Sequence, residues 1–264
     1  MTEPARVGGI KATLPGEVVL PDGVDADWFV TIDSTNEEAK RQAEAGIAGP
    51  KWIVAETQTA GRGRRGRVWA SPTGNFAGTY LLKPDAKVGH AAELCFATAL
   101  AVHDAVAICV PEAQPVLALK WPNDLLVDRA KLSGILLETA TGGGGQLSWL
   151  AIGIGVNLAH HPDDTPYPAT DLLSRFGVQP SQAVFLSALA ASLEQWIEEW
   201  RRRGFEGLRP AWLSRAAGLN EGILVRLSDR TLEGRFEGLT PSGELVLRDA
   251  VGAVHHITAG DVFF

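Results

Sequence analysis

Short apolar runs alternate with longer helical patterns along most of the chain. Trp28–Ile32 is apolar and β-branched, which predicts a strand. Ser34 and Glu37 then fit a capping box, which favours a helix of about ten residues. Val88–Cys109 is apolar on almost every side and indicates a helix buried in the core. Ser181–Arg203 carries aromatic and aliphatic residues on one face, which predicts an amphipathic helix.

Further apolar runs predict more strands, and a second short helix is predicted near Phe205–Ala216. The strands are expected at Lys51–Glu56, Thr79–Lys83, Val116–Trp121, Leu132–Ala140 and Leu147–Leu158. Gly142–Gly145 predicts a hairpin loop before the last of them. Gly153 and Gly155 lie inside that last run. Glycine in a strand indicates a bulge or a close approach of a ligand to the backbone.

The pattern changes near Gly218–Glu221. From there to the end, four or five short runs separated by turn signals predict a small β barrel. A unit of about 43 residues is barely large enough to fold alone, so we expect it to dock on the main domain. The predicted organisation is an extended lead-in over 1–27, a main domain over 28–218 and a C-terminal domain over 219–264.

Composition narrows the class of protein. The 264 residues are 45% hydrophobic and 21% charged, with a formal net charge of −7. The acidic balance argues against general affinity for nucleic acid or anionic membranes. The N-terminus lacks the pattern of a signal peptide, and no uninterrupted apolar run reaches about 18 residues. We therefore expect a cytoplasmic protein that does not span a membrane.

Cysteine and histidine give no sign of a metal site. Cys95 and Cys109 fall in one apolar run, which favours buried, reduced thiols. The pairs His160–His161 and His255–His256 would point to opposite faces of a strand, which is poor geometry for chelation. His103, alone on a helix, is expected to be structural.

The most unusual stretch is a basic loop, Gln58–Gly74. Its centre, Gly61–Arg67, reads GRGRRGR, and without these four arginines the chain would carry a charge of −11. Guanidinium groups bind phosphate and carboxylate through paired donors. Glycine leaves room for a ligand to approach the backbone. The loop is therefore predicted to wrap a small anionic ligand.

The basic loop has two other interpretations. Gly61–Gly66 (GRGRRG) satisfies the G-x-G-x-x-G dinucleotide pattern, which requires a preceding strand and a following helix. A strand precedes it, but Val68–Gly74 is loop-like, so this interpretation is rejected. A solvated loop that touches nucleic acid is the second alternative, and the acidic net charge opposes it.

Two further polar clusters follow predicted strands. Ser34–Asn36 stands where a strand gives way to a helix, so it either caps the helix or faces a ligand. Lys120, Asn123 and Asp124 place a cation, an amide and a carboxylate within five residues, in what is also a turn signal. Lys131 follows shortly afterwards.

Together these segments resemble the biotin–protein ligases. Gln58–Ser71 (QTAGRGRRGRVWAS) and Lys120–Leu125 (KWPNDL) carry most of the resemblance. Ser34–Asn36, Lys131–Leu136 and Gly153–Asn157 add three segments in the same order. The resemblance covers residues 28–264. It implies an α+β fold: a mixed β-sheet catalytic domain similar to class II aminoacyl-tRNA synthetases, then an SH3-like barrel.

The resemblance also implies a reaction. Biotin and Mg²⁺-ATP would give biotinyl-5′-AMP and pyrophosphate. A lysine of a biotin carboxyl carrier domain, in acetyl-CoA carboxylase or another biotin-dependent carboxylase, would then take the biotinyl group. Joining a carboxylate to an α-phosphate requires cations that neutralise both anions. Lipoate–protein ligases share the fold and reaction class, but the two main motifs together favour biotin.

Residue roles follow from the same resemblance. The biotin-binding residues would be Ser34, Thr35, Asn36, Gln58, Gly61, Arg62, Gly63, Arg64, Trp69, Lys131, Gly153 and Gly155. The ATP-binding residues would be Arg64, Arg65, Arg67, Asn123, Lys131 and Asn157. The catalytic set would be Arg64, Lys131 and Asp124, with Asp124 orienting or deprotonating the acceptor lysine.

Some relatives carry an N-terminal winged helix-turn-helix that makes them repressors. Only about 27 residues precede Trp28, so the sequence predicts a ligase that binds no nucleic acid. It leaves open whether the protein is a monomer or a homodimer.

Overall fold

An eight-stranded mixed sheet forms the main domain in the computed structural model, which describes residues 9–47, 49–165 and 167–264. Its strands are β1 (Ile10–Ala12), β2 (Asp25–Ile32), β3 (Lys51–Gln58), β4 (Phe76–Leu82), β5 (Leu117–Lys120), β6 (Asp124–Val127), β7 (Ala130–Thr141) and β8 (Leu147–Val156). Their order is β1-β2-β3-β4-β8-β7-β6-β5. β2 and β3 are parallel, and the other neighbours are antiparallel.

Helices cover both faces of this sheet. They are α1 (Thr35–Glu44), α2 (Ala91–Cys109), α3 (Leu172–Phe176), α4 (Gln182–Arg203) and α5 (Phe205–Leu213). Short 3₁₀ turns lie at Arg64–Gly66, Val88–His90, Pro111–Val116 and Gly143–Gly145. α1 packs on β3, β4 and β8, whereas α2 packs on β5–β8 and against α4 and α5.

Alternation along β3 separates two cores. Trp52 and Val54 belong to the large core under α2 and α4, whereas Ile53 and Ala55 belong to a smaller core under α1. Both sets are buried, which explains why this strand is a continuous apolar run. Residues that are opposite each other on paired strands share one face of the sheet. Ile53 is opposite Thr79 of β4, and Thr79 is opposite Gly153 of β8, so all three lie on the side of α1. The small core leaves part of that face, over β7 and β8, free for the cavity described below.

The C-terminal domain is a five-stranded antiparallel sheet. Its strands are β9 (Gly222–Arg226), β10 (Thr231–Leu239), β11 (Leu245–Arg248), β12 (Val254–Ile257) and β13 (Asp261–Phe263), in the order β12-β11-β10-β9-β13. It shares the large core with the main domain. Trp121 Nε1 also donates to Gly243 O at 3.1 Å. The expected docking is confirmed.

Several boundaries differ from the sequence prediction. The sequence prediction lacks β6 for two reasons. Asp124 is predicted in a turn, whereas it begins the strand. The β6–β7 hairpin also has no glycine to mark it, because Asp128 and Arg129 adopt the positive φ angles. β1 lies within the predicted lead-in, whose residues 1–8 are outside the described residues. The strand expected from Val116 begins at Leu117, after a 3₁₀ turn.

The capping box was wrong. Ser34 occupies the N-cap position of α1 with extended backbone angles, but its side chain makes no capping hydrogen bond. Instead, Asp33 Oδ1 accepts from Ser34 N at 2.7 Å. The Ser34 side chain is therefore left to the cavity that it lines.

The apolar helix is a core element. Within the part of the chain that the structure describes, Val88–Cys109 is the one helix long and apolar enough to cross a membrane, and 61% of its most apolar window is buried in the fold. Cys95 and Cys109 on it are free thiols and only partly buried. Burial raises the pKa of Cys95 to about 12 and also raises the pKa of Cys109.

Candidate functional site

A cavity of about 470 Å³ lies beside α1, on the face of the sheet that α1 covers only in part. Its floor comes from β7 and β8, and its polar end from the β2–α1 junction. The basic loop between β3 and β4 covers it. The turn after β5 and the start of β13 complete its walls. The C-terminal domain therefore contributes directly to the site.

The floor of the cavity is made of glycine. Gly134 of β7 and Gly155 of β8 are register partners, and Trp69 lies across both. A β-carbon on Gly155 would lie 2.3 Å from the Trp69 ring, and one on Gly134 would lie 3.3 Å from it. A β-carbon on Gly153 would lie 2.3 Å from Asn36 Oδ1. Side chains therefore approach this backbone closely, and the approach of a ligand stays a prediction. The alternative of a bulge is wrong, because the ladder stays in register there.

A run of six hydrogen-bonded side chains lies at the polar end. Gln58 accepts from Thr35 N at 2.8 Å through Oε1 and donates from Nε2 to Ser71 Oγ at 2.9 Å. Asn36 Nδ2 donates to Glu138 Oε2 at 2.6 Å. We call the set the polar chain: Ser71, Gln58, Thr35, Thr79, Asn36 and Glu138. The hydrogen bonds of Gln58 and Asn36 determine the orientation of both side-chain amides at the cavity.

The basic loop forms a small hairpin. Arg62 bridges to Val68, and Gly63 N donates to Arg67 O at 2.7 Å. The tip turns through Arg65, which has φ of 57°. The loop therefore has a defined backbone that directs successive arginines to different places.

Asn123 of the β5–β6 turn and Asp124, the first residue of β6, hold two cations of the cavity. Asn123 Oδ1 accepts from Arg64 Nη1 at 3.0 Å, and Asn123 itself is anchored by donating to Ile135 O at 2.6 Å. Asp124 Oδ1 lies 2.7 Å from Lys131 Nζ. The turn in KWPNDL thus positions one cation from the loop and one from β7.

Lys120 is a third cation of the cavity, and it is absent from the residues that the resemblance implied. It is buried, with Nζ 4.0 Å from Asp124 Oδ2 and 3.9 Å from the centre of the Tyr167 ring. Burial lowers its pKa, although Asp124 opposes the shift. The feature of the sequence that could have identified Lys120 is its position inside the KWPNDL motif.

Asp261 of β13 was also missed. Its Oδ2 lies 2.6 Å from Arg67 Nη2 and 3.2 Å from Arg65 Nη1. Burial works to raise the pKa of this carboxyl, but the Arg67 hydrogen bond and the arginine charges outweigh it and leave the pKa lowered. The sequence around Asp261 carries no local signal, because its partners lie in the other domain.

Most of the predicted site residues meet at this cavity. Those that line it are Ser34, Thr35, Asn36, Gln58, Arg62, Gly63, Arg64, Arg67, Trp69, Asn123, Asp124, Lys131, Gly153, Gly155 and Asn157. Gly61 does not line it: it packs against Trp69 within the loop, where a β-carbon would be 2.5 Å from Trp69 O. Arg65 is at the rim, where it pairs with Asp261. Arg62 reaches the lining but pairs with Glu37, and Asn157 donates to Thr170 O at 3.1 Å.

Comparison with known proteins identifies the family of the chain. The profile of the Biotin/lipoate A/B protein ligase family matches residues 28–157, and that of the Biotin protein ligase C terminal domain matches residues 218–264. A biotin–[acetyl-CoA-carboxylase] ligase from Paracoccus denitrificans is 44% identical over 240 residues, which are 88% of this chain and 97% of that protein. The chain belongs to the biotin protein ligase family.

More distant members of the biotin protein ligase family support the same assignment. The bifunctional ligase/repressor BirA of Bacillus subtilis is 30% identical, over 96% of this chain and 76% of that protein. The structure of the biotin protein ligase from Aquifex aeolicus in complex with biotin and ATP is similar, with a TM-score of 0.76 and 25% identity. The match covers 90% of this chain and 97% of that one. The fold is that of a biotin ligase, with a mixed-sheet domain and a C-terminal antiparallel sheet.

Proposed function

We propose that this chain activates biotin with ATP as biotinyl-5′-AMP and transfers the biotinyl group to a lysine of a biotin carboxyl carrier domain. Acetyl-CoA carboxylase is the first candidate acceptor, as the name of the Paracoccus relative suggests. The observation that carries the proposal is the cavity itself, where a polar end and a glycine floor meet a cluster of cations. A neutral ring system with an anionic tail fits that arrangement.

Biotin would enter with its ureido head at the polar end. Ser34, Thr35 and Gln58 present hydroxyl and amide groups there, and the backbone of Gly63 lies beside them in the lining. Trp69 would cover the apolar part of the ligand, and the glycine floor leaves room for the Trp69 ring. Burial of polar groups against matched partners is what makes such a site selective.

The first step joins two anions. A biotin carboxylate oxygen attacks the α-phosphorus of ATP, the bond to the β-phosphate oxygen breaks, and pyrophosphate leaves. Arg64 and Lys131 would neutralise the carboxylate and the α-phosphate, with Arg65 and Arg67 on the triphosphate and Asn123 and Asn157 on the nucleotide. Because Asn123 and Asp124 hold Arg64 and Lys131 in place, their charges need little reorganisation in the transition state.

The second step needs a lysine amine from the acceptor. The amine attacks the carbonyl carbon of the adenylate, and the bond from that carbon to the phosphate oxygen breaks, releasing AMP. Asp124 would orient the amine or take up its proton. Its carboxylate lies 2.7 Å from Lys131 Nζ, and because Lys131 would contact the biotin carboxylate, Asp124 would be near the adenylate carbonyl.

Magnesium belongs to the same proposal as the partner of ATP. The described residues contain no group of three or more His, Cys, Asp or Glu side chains arranged for a metal. The arginines and lysines that line the cavity suit phosphate oxygens, and Mg²⁺ in such sites is commonly bound through those phosphates with few protein ligands. Bound there, Mg²⁺ would supply further charge neutralisation on the triphosphate.

The remaining expectations are proposed on the same basis. They are a catalytic domain over 28–218 related to class II aminoacyl-tRNA synthetases and an SH3-like barrel over 219–264. They also include a cytoplasmic location, either a monomer or a homodimer, and no function in binding nucleic acid. The net charge of −7 supports the last of these.

ATP–pyrophosphate exchange tests the substrate. We expect exchange to require both biotin and Mg²⁺, and lipoate at the same concentration not to replace biotin. Exchange driven equally well by lipoate would overturn the choice of biotin, and exchange driven by neither would overturn adenylation.

A further inference from the structure

Thr79 is a fully buried residue in the middle of β4. It lies on the cavity face of the sheet, opposite Gly153 of β8. Its hydroxyl is 2.8 Å from Thr35 Oγ1 and 2.6 Å from Asn36 Oδ1. Thr35 and Asn36 line the cavity, and Thr79 lies behind them. One buried hydroxyl thus contacts two side chains of the proposed biotin site.

The hydrogen bonds of Asn36 show what this contact does. Asn36 Nδ2 donates to Glu138 Oε2 at 2.6 Å and lies 3.5 Å from Leu136 O. Its amide oxygen lies against Thr79 and directly over Gly153. The amide therefore has partners on both its oxygen and its nitrogen within the protein. Asn36 Nδ2 thus has two acceptors within the protein, Glu138 Oε2 and Leu136 O. Gln58 Nε2 donates one hydrogen to Ser71 Oγ and keeps its second hydrogen for the ligand.

We propose that Thr79 is a positioning residue for biotin recognition. It joins the two halves of the polar chain, and so sets the side-chain orientation of Thr35 and Asn36 before the ureido head arrives. This inference rests on the proposed function. Thr79 contacts Thr35 and Asn36, whereas Arg64 and Lys131 are held by Asn123 and Asp124. It should therefore govern the binding of biotin and not the chemical step.

The test is Thr79→Val in the pyrophosphate-exchange assay. Valine has almost the same shape but lacks the hydroxyl, so Asn36 Oδ1 loses a buried partner and can rotate. We expect the KM for biotin to rise roughly tenfold, with kcat and the KM for ATP within about twofold of the wild type. Thr79→Ser keeps the hydroxyl and should keep the KM for biotin near the wild-type value.

Thr98→Val is the matched control. Thr98 is fully buried in α2, and its hydroxyl donates to Leu94 O at 2.7 Å, away from the cavity. Thr98→Val loses the same chemical group as Thr79→Val, but away from the cavity. Its KM for biotin should therefore equal that of the wild type. A folded Thr79→Val with an unchanged KM for biotin would overturn the positioning role alone. A wild-type protein without biotin-dependent exchange would overturn the proposed function instead.

A second variant keeps the inference testable if Thr79→Val does not fold. Glu138 closes the other end of the polar chain, and its side chain is 38% exposed, so Glu138→Ala should fold. Removing the acceptor of Asn36 Nδ2 should also raise the KM for biotin. An unchanged KM in that variant would show that the polar chain does not position the site.

Discussion

Lys131 and Arg64 reach the cavity from different elements, and two neighbouring residues, Asn123 and Asp124, hold them. Lys131 comes from β7 and lies against Asp124, whereas Arg64 comes from the loop tip and donates to Asn123. The joint occurrence of the basic loop and KWPNDL in the sequence thus has a structural reason. The basic loop carries Arg64, and Asn123 of KWPNDL positions it.

Lys131→Ala should reduce biotin-dependent pyrophosphate exchange by about two to three decades. A charge that faces the transition state in a closed site is commonly worth ~3–4 kcal/mol. The melting temperature should stay close to that of the wild type, because the side chain is partly exposed. Lys40→Ala, an exposed lysine on α1, is the control and should exchange normally. Near wild-type exchange by Lys131→Ala would remove this lysine from the catalytic set.

Arg64→Gly should release biotinyl-adenylate more than it prevents its formation. The variant loses a charge-assisted contact worth ~1.5–3 kcal/mol, which weakens retention by about one to two decades. Lys131 remains to support adenylation. We expect the variant to biotinylate lysines of an unrelated protein mixed with it, and Arg230→Gly, in an exposed hairpin turn, to do no more than the wild type. Adenylate formation without bystander labelling would refute the retention role, and loss of adenylate would assign Arg64 to the chemical step.

Local motifs located most of the site, and tertiary contacts explain what they missed. The basic loop, KWPNDL and Ser34–Asn36 could be found because each is an unusual cluster within a few residues. Asp261 and Thr79 are single polar residues in ordinary strands. Their importance arises only when strands pair and the C-terminal domain docks, which short-range patterns do not encode.

At the scale of elements, two adjacent strands supply the floor that makes the cavity possible. Gly134 and Gly155 are opposite each other on β7 and β8, so the Trp69 ring can lie directly on the backbone. The strands themselves could be predicted from their apolar runs. The pairing of these two glycines could not, because register depends on the whole sheet.

Gly155→Ala should raise the KM for biotin by roughly tenfold and lower the melting temperature. The added methyl would lie 2.3 Å from the indole, and overpacking of this kind costs ~1–3 kcal/mol. Trp69 must then move into the volume proposed for biotin. The control is Gly143→Ala in the β7–β8 hairpin, where an added β-carbon meets no atom within 4 Å. If both alanine variants have the wild-type KM for biotin, the glycine floor does not shape the site.

At the scale of the whole molecule, the C-terminal domain holds the basic loop through Asp261. Its pairs with Arg65 and Arg67 join β13 to the loop that covers the cavity. The sequence predicted that this small domain docks, since it is barely large enough to fold alone. It did not predict that the docked domain reaches the site.

Asp261→Asn should weaken the dependence of stability on acid pH. The folded pKa of Asp261 is lowered, so its contribution is present above the ordinary aspartate pKa of about 3.9 and is lost as the pH falls through the folded value. Between about pH 5 and pH 2 the free energy of unfolding should therefore fall less in the variant than in the wild type. Asp229→Asn, in an exposed turn, should follow the wild type. Identical profiles for Asp261→Asn and wild type would show that the ion pairs do not form.

The proposed activity is best tested by the transfer of biotin to an isolated biotin carboxyl carrier domain. The purified chain, the carrier domain, biotin and Mg²⁺-ATP are combined, and the intact mass of the carrier is measured. Parallel samples omit ATP or biotin, and one replaces the acceptor lysine with arginine. We expect one biotinyl group on the acceptor lysine in the complete mixture and no addition in the others. A carrier that stays unmodified in the complete mixture would contradict the account.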